Sequence, residues 1–152
     1  MPGRSLERGG GTTAFDAIQE TLQESFAMND PNRHSAVIPV NALNFEREVL
    51  EADLPVLVDV SAAWCAPCKA AHPIVEALAS AHRGRLKVVS IDGGEDPDLV
   101  ERLGVRGYPT FLGISRGDVV ERRVGFGGRR PLDELARTLI DASASLEARR
   151  DA

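Results

Sequence analysis

Two cysteines stand three residues apart in Trp64-Cys65-Ala66-Pro67-Cys68-Lys69, and the chain has no others. A Cys-x-x-Cys pair within a β-α-β pattern reads as a redox pair, because thiols at this spacing can close into a disulfide and reopen. The spacing also divides their labour. Cys65 follows a buried strand and falls at the first turn of a helix. Unsatisfied backbone N–H groups and the positive end of the helix dipole favour a thiolate there. Its pKa is expected below the roughly 8.5 of a free cysteine. Cys68 comes one turn later on the same side, deeper, and placed to attack a mixed disulfide formed at Cys65. Cys65 is therefore expected to be the nucleophile and Cys68 the resolving thiol. Ala66-Pro67 sets the turn between them, and proline is tolerated within a first helical turn.

Asp59 is the second chemical signal. It is a carboxylate inside the apolar run Val56-Leu-Val-Asp-Val60, where a charge is costly and burial raises the pKa. It lies six residues before Cys65, near the end of the strand that delivers that cysteine. Beneath a dithiol, such an acid can take the proton of Cys68 when that thiol must attack. Taken without the cysteines, the same residue reads as a hydrogen-bonded structural aspartate. Beside them the functional reading is preferred.

The elements that must position these groups follow from periodicity. Ala36–Val40 is a short apolar strand, and 41–51 carries Leu43, Phe45, Val49 and Leu50 as a half-buried helix would. Residues 55–60 form a near-continuous apolar run, as in a strand buried on both faces. A helix is expected from about Cys65 to His82, stopped by Gly84. Leu86–Ile91 is the next strand. Asp96-Pro97 caps and opens a short helix ending at Gly104. Thr110–Ile114 and Val119–Val124 flank Arg116-Gly-Asp118 and are expected to pair as an antiparallel hairpin. Pro131 starts a last helix with Leu132, Leu135, Leu139 and Ile140 on one face. The order β-α-β-α-β-α-β-β-α belongs to an α/β domain whose first strands pair in parallel under helices.

Composition narrows the classes. The 152 residues are 43% apolar and 27% charged, a single domain with some chain to spare. A net charge of −5 argues against nucleic acid, which calls for a basic face. No apolar run approaches the roughly 18 residues of a membrane span. Two cysteines are too few for a disulfide scaffold or a four-cysteine zinc site. The charged start, without an apolar export region, leads us to expect a cytoplasmic protein. The domain organisation expected is an N-terminal extension over 1–35, a main domain over 36–141 and a polar, frayed tail over 142–152. Within the extension, Phe15, Ile18, Leu22 and Phe26 form one helical stripe, a short amphipathic helix over 14–27.

Trp64-Cys-Ala-Pro-Cys-Lys69, Asp59 in its strand, Pro73 inside the long helix, Gly107-Tyr-Pro-Thr110 and Val124-Gly125 occur in the order and approximate spacing of the thioredoxin family. The chain resembles that family over roughly residues 36–141. The resemblance implies the thioredoxin fold, a central mixed β-sheet flanked by four helices, here with an extra N-terminal helical segment. It implies a cis peptide before Pro109, facing the dithiol, which would offer the backbone of Tyr108 to an extended substrate. It also implies a shallow substrate surface around Cys65 made by Trp64, Ala66, Pro67, Tyr108, Pro109, Val124 and Gly125. Four departures from the common pattern stand out. Ala66 replaces a glycine, Ser61 a tryptophan and Ser90 a lysine near the buried acid. Asp92-Gly-Gly-Glu95 stands where the family continues a strand.

The activity expected is protein-disulfide reduction, with no cofactor and no metal because the two thiols carry both electrons. Ala66-Pro67 lacks a histidine that would make the pair oxidising. The partners expected are disulfide-containing substrate proteins and a reductase of the thioredoxin-reductase type as electron donor. Neither nucleic acid nor membrane is expected as a partner, and the protein should act as a monomer. Two rivals are weighed. One is a metal site of Cys65, Cys68 and His72, at i, i+3 and i+7 on one helix face but one ligand short of tetrahedral zinc. Under the redox reading His72 is instead a packed helix residue before Pro73. The other is a binding or chaperone-like module on the same fold, with the helix over 14–27 as its docking element.

Overall fold

The strand Val56–Ser61 (β2) is buried along all but its last residue, and an apolar strand of that kind needs neighbours on both edges and cover on both faces. In the computed structural model, which describes residues 35–151, it has both. Ile38–Val40 (β1), β2, Lys87–Asp92 (β3), Thr110–Ser115 (β4) and Asp118–Val124 (β5) form one five-stranded sheet in the order β1-β3-β2-β4-β5. β1 and β2 lie parallel to β3, whereas β4 is antiparallel to both β2 and β5. This is the mixed sheet expected, with β2 at its centre. The helix expected over 14–27 lies outside the described residues.

Alternation along the strands sends side chains to opposite faces. Leu57, Val88 and Phe111 pack with Ala71, Val75 and Leu78 of the helix Ala66–Ala81 (α1), and with Leu132, Leu135 and Leu139 of the helix Arg129–Arg150 (α3). On the other face, Val58, Val60, Val89, Ile91 and Leu112 pack with Val49 and with Leu99 and Val100 of the short helix Pro97–Arg102 (α2). Asp59 shares its face with Leu57, so its side chain lies on the α1 side. No helix among the described residues is long and apolar enough to cross a membrane.

Two elements differ from expectation. The helix expected over 41–51 is an asparagine-built turn followed by a π-helix, Glu46–Leu50. The Asn41 N–H donates to Asn44 Oδ1 at 2.8 Å, and the Leu43 N–H donates to Asn41 Oδ1 at 2.9 Å. These side-chain bonds compete with regular helix, and they leave Leu43 95% exposed rather than half buried. Helix α3 begins at Arg129, two residues before Pro131. It also runs on to Arg150, so the tail expected to fray over 142–152 is helical as far as Arg150. No glycine or proline interrupts residues 132–150. The pairs Arg129–Asp133 and Arg130–Glu134 add support one turn apart in the first turns,. Strand β3 runs Lys87–Asp92, within one residue of the strand expected over Leu86–Ile91, and stops before the Gly93-Gly94 pair.

Candidate active site

Strand β2 runs out at Ser61, and a short loop carries the chain to Cys65, whose N–H donates to the Ala62 carbonyl at 3.1 Å. Cys65 is the N-cap of α1, with φ −89° and ψ 112°. Its Sγ accepts the backbone N–H of Cys68 at 3.3 Å. A sulfur thus stands where serine or aspartate usually caps a helix and satisfies one of the orphan donors. Ala66 and Pro67 are the first two helical residues, so the missing N–H of Pro67 costs no helical bond,. Pro73 is accommodated within the same continuous helix.

The sulfurs of Cys65 and Cys68 are joined as a disulfide, with Cα atoms 5.3 Å apart. One expectation is corrected here. Cys68 was expected to lie deeper than Cys65, but both residues are 5% exposed. The packing of Ala62 and Tyr108 over the pair covers Cys65 as fully as Cys68. What separates the two is their surroundings, not their depth.

Asp59 is 4% exposed, and its Oδ1 has no hydrogen-bond partner. Desolvation pushes its carboxyl up from 3.8 to about 7, since burial penalises the charged form. In the sheet Asp59 lies opposite Ser90 of β3 and Phe111 of β4. A cleft of about 300 Å³ opens beside it, lined also by Cys68, Lys69, His72, Ser90 and Asp92. Cys65 does not line this cleft. The resolving cysteine and the buried acid therefore share one space, which the capping cysteine does not line.

His72 is not the packed residue expected. Its side chain is 66% exposed, with Nε2 3.7 Å from Glu76 Oε1 one turn on. Among the described residues, no group of three or more His, Cys, Asp or Glu side chains is gathered as metal ligands.

Around Cys65 the apolar surface is open. Trp64 is 75% exposed and Val124 71% exposed, and Ala66, Pro67 and Gly125 are also exposed. Trp64 meets Tyr108 edge to face, with ring centroids 5.7 Å apart and planes at 81°. The Tyr108–Pro109 peptide is cis. Gly125, at φ +85°, donates its N–H to the Pro109 carbonyl at 2.8 Å. The structure thus gathers Trp64, Tyr108, Cys65 and Cys68 into one cluster. Sequence reasoning missed Gly93, which lies against the Tyr108 ring. The only signal for it was the pair of glycines closing β3.

A two-cysteine disulfide opening the helix that follows the central strand, with a buried carboxylate behind it, defines a thiol-disulfide oxidoreductase. The comparisons with known proteins agree. The family model described as Thioredoxin matches residues 36–141, and the chain belongs to the thioredoxin family. Thioredoxin 1 of Nostoc sp. is 38% identical over 91 residues, which cover 60% of this chain and 85% of that protein. A thioredoxin of Synechocystis sp. is 36% identical over 105 residues, 69% of this chain and 95% of its own. A bifunctional thioredoxin reductase/thioredoxin of Mycobacterium leprae is 35% identical over 113 residues, which cover 74% of this chain and 25% of that protein.

Proposed function

We propose that this oxidoreductase works as a reductase of disulfides in other proteins, with Cys65 attacking, Cys68 resolving and Asp59 accepting the proton of Cys68. One observation carries the division of roles. Cys65 Sγ caps α1 and accepts the Cys68 N–H, whereas Cys68 and not Cys65 shares the cleft with Asp59. A negative sulfur at a helix N-terminus is stabilised by the N–H groups it faces. A thiol beside an unpartnered carboxylate has a base to give its proton to.

The reaction starts from the dithiol form. The Cys65 thiolate attacks one sulfur of the substrate disulfide. That S–S bond breaks, a Cys65–substrate disulfide forms, and the first substrate thiolate leaves with an electron pair and picks up a proton. Cys68 loses its proton to Asp59 and attacks Cys65 Sγ. The mixed disulfide breaks, the second substrate thiolate leaves, and the Cys65–Cys68 disulfide closes. Two electrons have passed to the substrate without any bound cofactor or metal. The exposed Trp64, Ala66, Pro67, Val124 and Gly125, with Tyr108 and Pro109, form the surface on which the substrate segment rests.

A dithiol donor must restore the reduced form. A relative whose name joins a thioredoxin reductase and a thioredoxin in one polypeptide supports a reductase of that type as the donor here. The acidic net charge fits a protein that engages neither nucleic acid nor anionic membrane. We place it, as part of the same proposal, in the cytoplasm as a monomer in electron transport and redox homeostasis. The test is an equilibrium redox titration of the Cys65–Cys68 pair against dithiothreitol and glutathione, paired with an insulin-reduction assay. A reductase should show a low, thioredoxin-like potential of about −270 mV, so that it gives up its electrons readily and its disulfide form is the favoured one against glutathione. A pair as oxidising as about −120 mV, with no reduction of insulin, would refute the direction.

A further inference from the structure

The turn that ends β3 is tightly tied. Gly93 donates its N–H to the Ser61 carbonyl at 2.7 Å, extending the β2–β3 pairing by one step. Gly94 donates to Asp92 Oδ1 at 2.9 Å, and the N–H groups of Glu95 and Asp96 donate to the Asp92 carbonyl at 3.2 and 3.1 Å. The anchor point, Ser61, lies at the end of β2, four residues before Cys65. Gly93 is not among the glycines with positive φ, so its backbone would accept any residue but proline, which lacks the N–H. What forbids a side chain there is Tyr108. A Cβ on Gly93 would come within 2.5 Å of Tyr108 Cε1 and Cζ and would also overlap Oη.

The Tyr108 ring therefore fills the space that a side chain at residue 93 would need. From that seat it reaches the edge-to-face contact with Trp64 and packs over Ala62, Cys65 and Cys68. The geometry points to Gly93 as the positioning residue that seats Tyr108 beside the dithiol, and so as a determinant of how protein disulfides are held. This rests on the reading of Trp64 and Tyr108 as substrate surface. The substrate class that such a surface suits is a disulfide flanked by apolar or aromatic residues, which can rest on the two rings.

The ring, not the turn, is what gives way when residue 93 gains a methyl. The turn is tied by three backbone–backbone hydrogen bonds and one from the Gly94 N–H to the Asp92 carboxylate, whereas the ring is a side chain with two free torsions. Room is at hand, since a groove of about 400 Å³ lined by Pro97, Val100, Val105 and Arg106 opens beside Tyr108. Gly93→Ala is thus expected to fold and to carry a misplaced ring.

The experiment compares the full-length chain with Gly93→Ala, Tyr108→Val and the double variant. Insulin serves as the protein disulfide, 5,5′-dithiobis(2-nitrobenzoate) as the small one, and dithiothreitol as reductant. Trp64 and Tyr108 are the only tryptophan and tyrosine in the chain, so a near-ultraviolet circular dichroism change at their bands reports on this pair. Gly93→Ala should alter that signal and raise KM for insulin about three- to tenfold, the range an aromatic contact gives. Its kcat should stay within about twofold, as loss of a binding contact predicts, and KM for the small disulfide, which is too short to rest on both rings, should rise less than KM for insulin. In the Tyr108→Val background, adding Gly93→Ala should cost nothing further. The inference is overturned if Gly93→Ala leaves the spectrum and the insulin KM unchanged, or if it raises KM equally in both backgrounds. If Tyr108→Val alone leaves the insulin KM unchanged, the substrate surface itself is wrong, and the role of Gly93 in substrate choice falls with it. If Tyr108→Val raises KM and Gly93→Ala does not, only the assignment of Gly93 fails.

Discussion

Asp59→Asn isolates the energetic cost of the buried acid. Burial moves the Asp59 carboxyl from 3.8 to about 7. At about 1.4 kcal/mol for each tenfold change in proton affinity, this difference amounts to roughly 4 kcal/mol. The sign follows from proton counting. Between pH 3.8 and about 7 the folded protein holds a proton on Asp59 that the unfolded chain has released. Stability must therefore fall as pH rises through that window, and above it the folded state carries an uncompensated buried charge. The neighbouring cleft admits water to Asp59, which lowers the cost, so the measured gain of Asp59→Asn at pH 8 is expected at about 2–4 kcal/mol. At pH 4 the gain should nearly vanish, because the aspartate is then protonated in the folded state. The assay is urea unfolding of the oxidised protein and its variant at pH 4, 5, 6, 7 and 8. A constant difference across that range would refute the burial of a titrating charge. In turnover the expectation is opposite in sign. The parent chain should gain rate as pH rises through about 7, and Asp59→Asn should lose that inflection and slow resolution about 100-fold. Unchanged turnover from pH 6 to 9 would reduce Asp59 to a structural residue.

Four further outcomes are expected. Cys68→Ser should accumulate mixed disulfides with substrate proteins through Cys65, whereas Cys65→Ser should trap none. Alkylation of the reduced protein at pH 6–7 should label Cys65 first, and since both cysteines are equally buried in the disulfide form, the reverse order would refute the helix-cap assignment. Gly113→Ala should destabilise the fold by about 1–3 kcal/mol, because its Cβ would meet Leu139 Cδ2 at 2.5 Å and Glu121 Cβ at 3.0 Å; denaturant midpoints measure this, and an unchanged midpoint would show that α3 can shift off β4. Removing residues 1–34 should leave cooperative unfolding and disulfide reduction intact, and a broad, uncooperative transition in the shortened chain would show that the segment belongs to the core.

The sheet and the dithiol were legible because each rests on a local signal. Val56–Ser61 could only be a buried central strand, since five consecutive buried residues need partners on both edges and both faces,. Cys65 and Cys68 sit three apart, and a helix start brings that spacing together whatever the rest of the chain does. Asp59 was legible by contrast, as a carboxylate among aliphatic neighbours. The C-terminal turns of α3 were misread because they are polar and bury almost nothing. Their helicity follows from the absence of breakers together with paired charges in the first turns, a weaker pattern than an apolar stripe. The asparagine turn before the π-helix was hidden for a similar reason. Side-chain bonds from Asn41 and Asn44 overrode a periodicity that suits a helix. Other features depended on parts of the chain far apart in sequence. The equal burial of the cysteines is decided by Tyr108, 40 residues beyond Cys68, folding back over them. The unpartnered oxygen of Asp59 depends on what β3 and α1 bring to its side of the sheet. Gly93 owes its identity to a ring 15 residues away. Sequence determines which residues can do chemistry and which local frame holds them, because those are short-range matters of spacing and burial pattern. Which neighbours they then meet is set by packing between distant segments, and only the folded chain decides it.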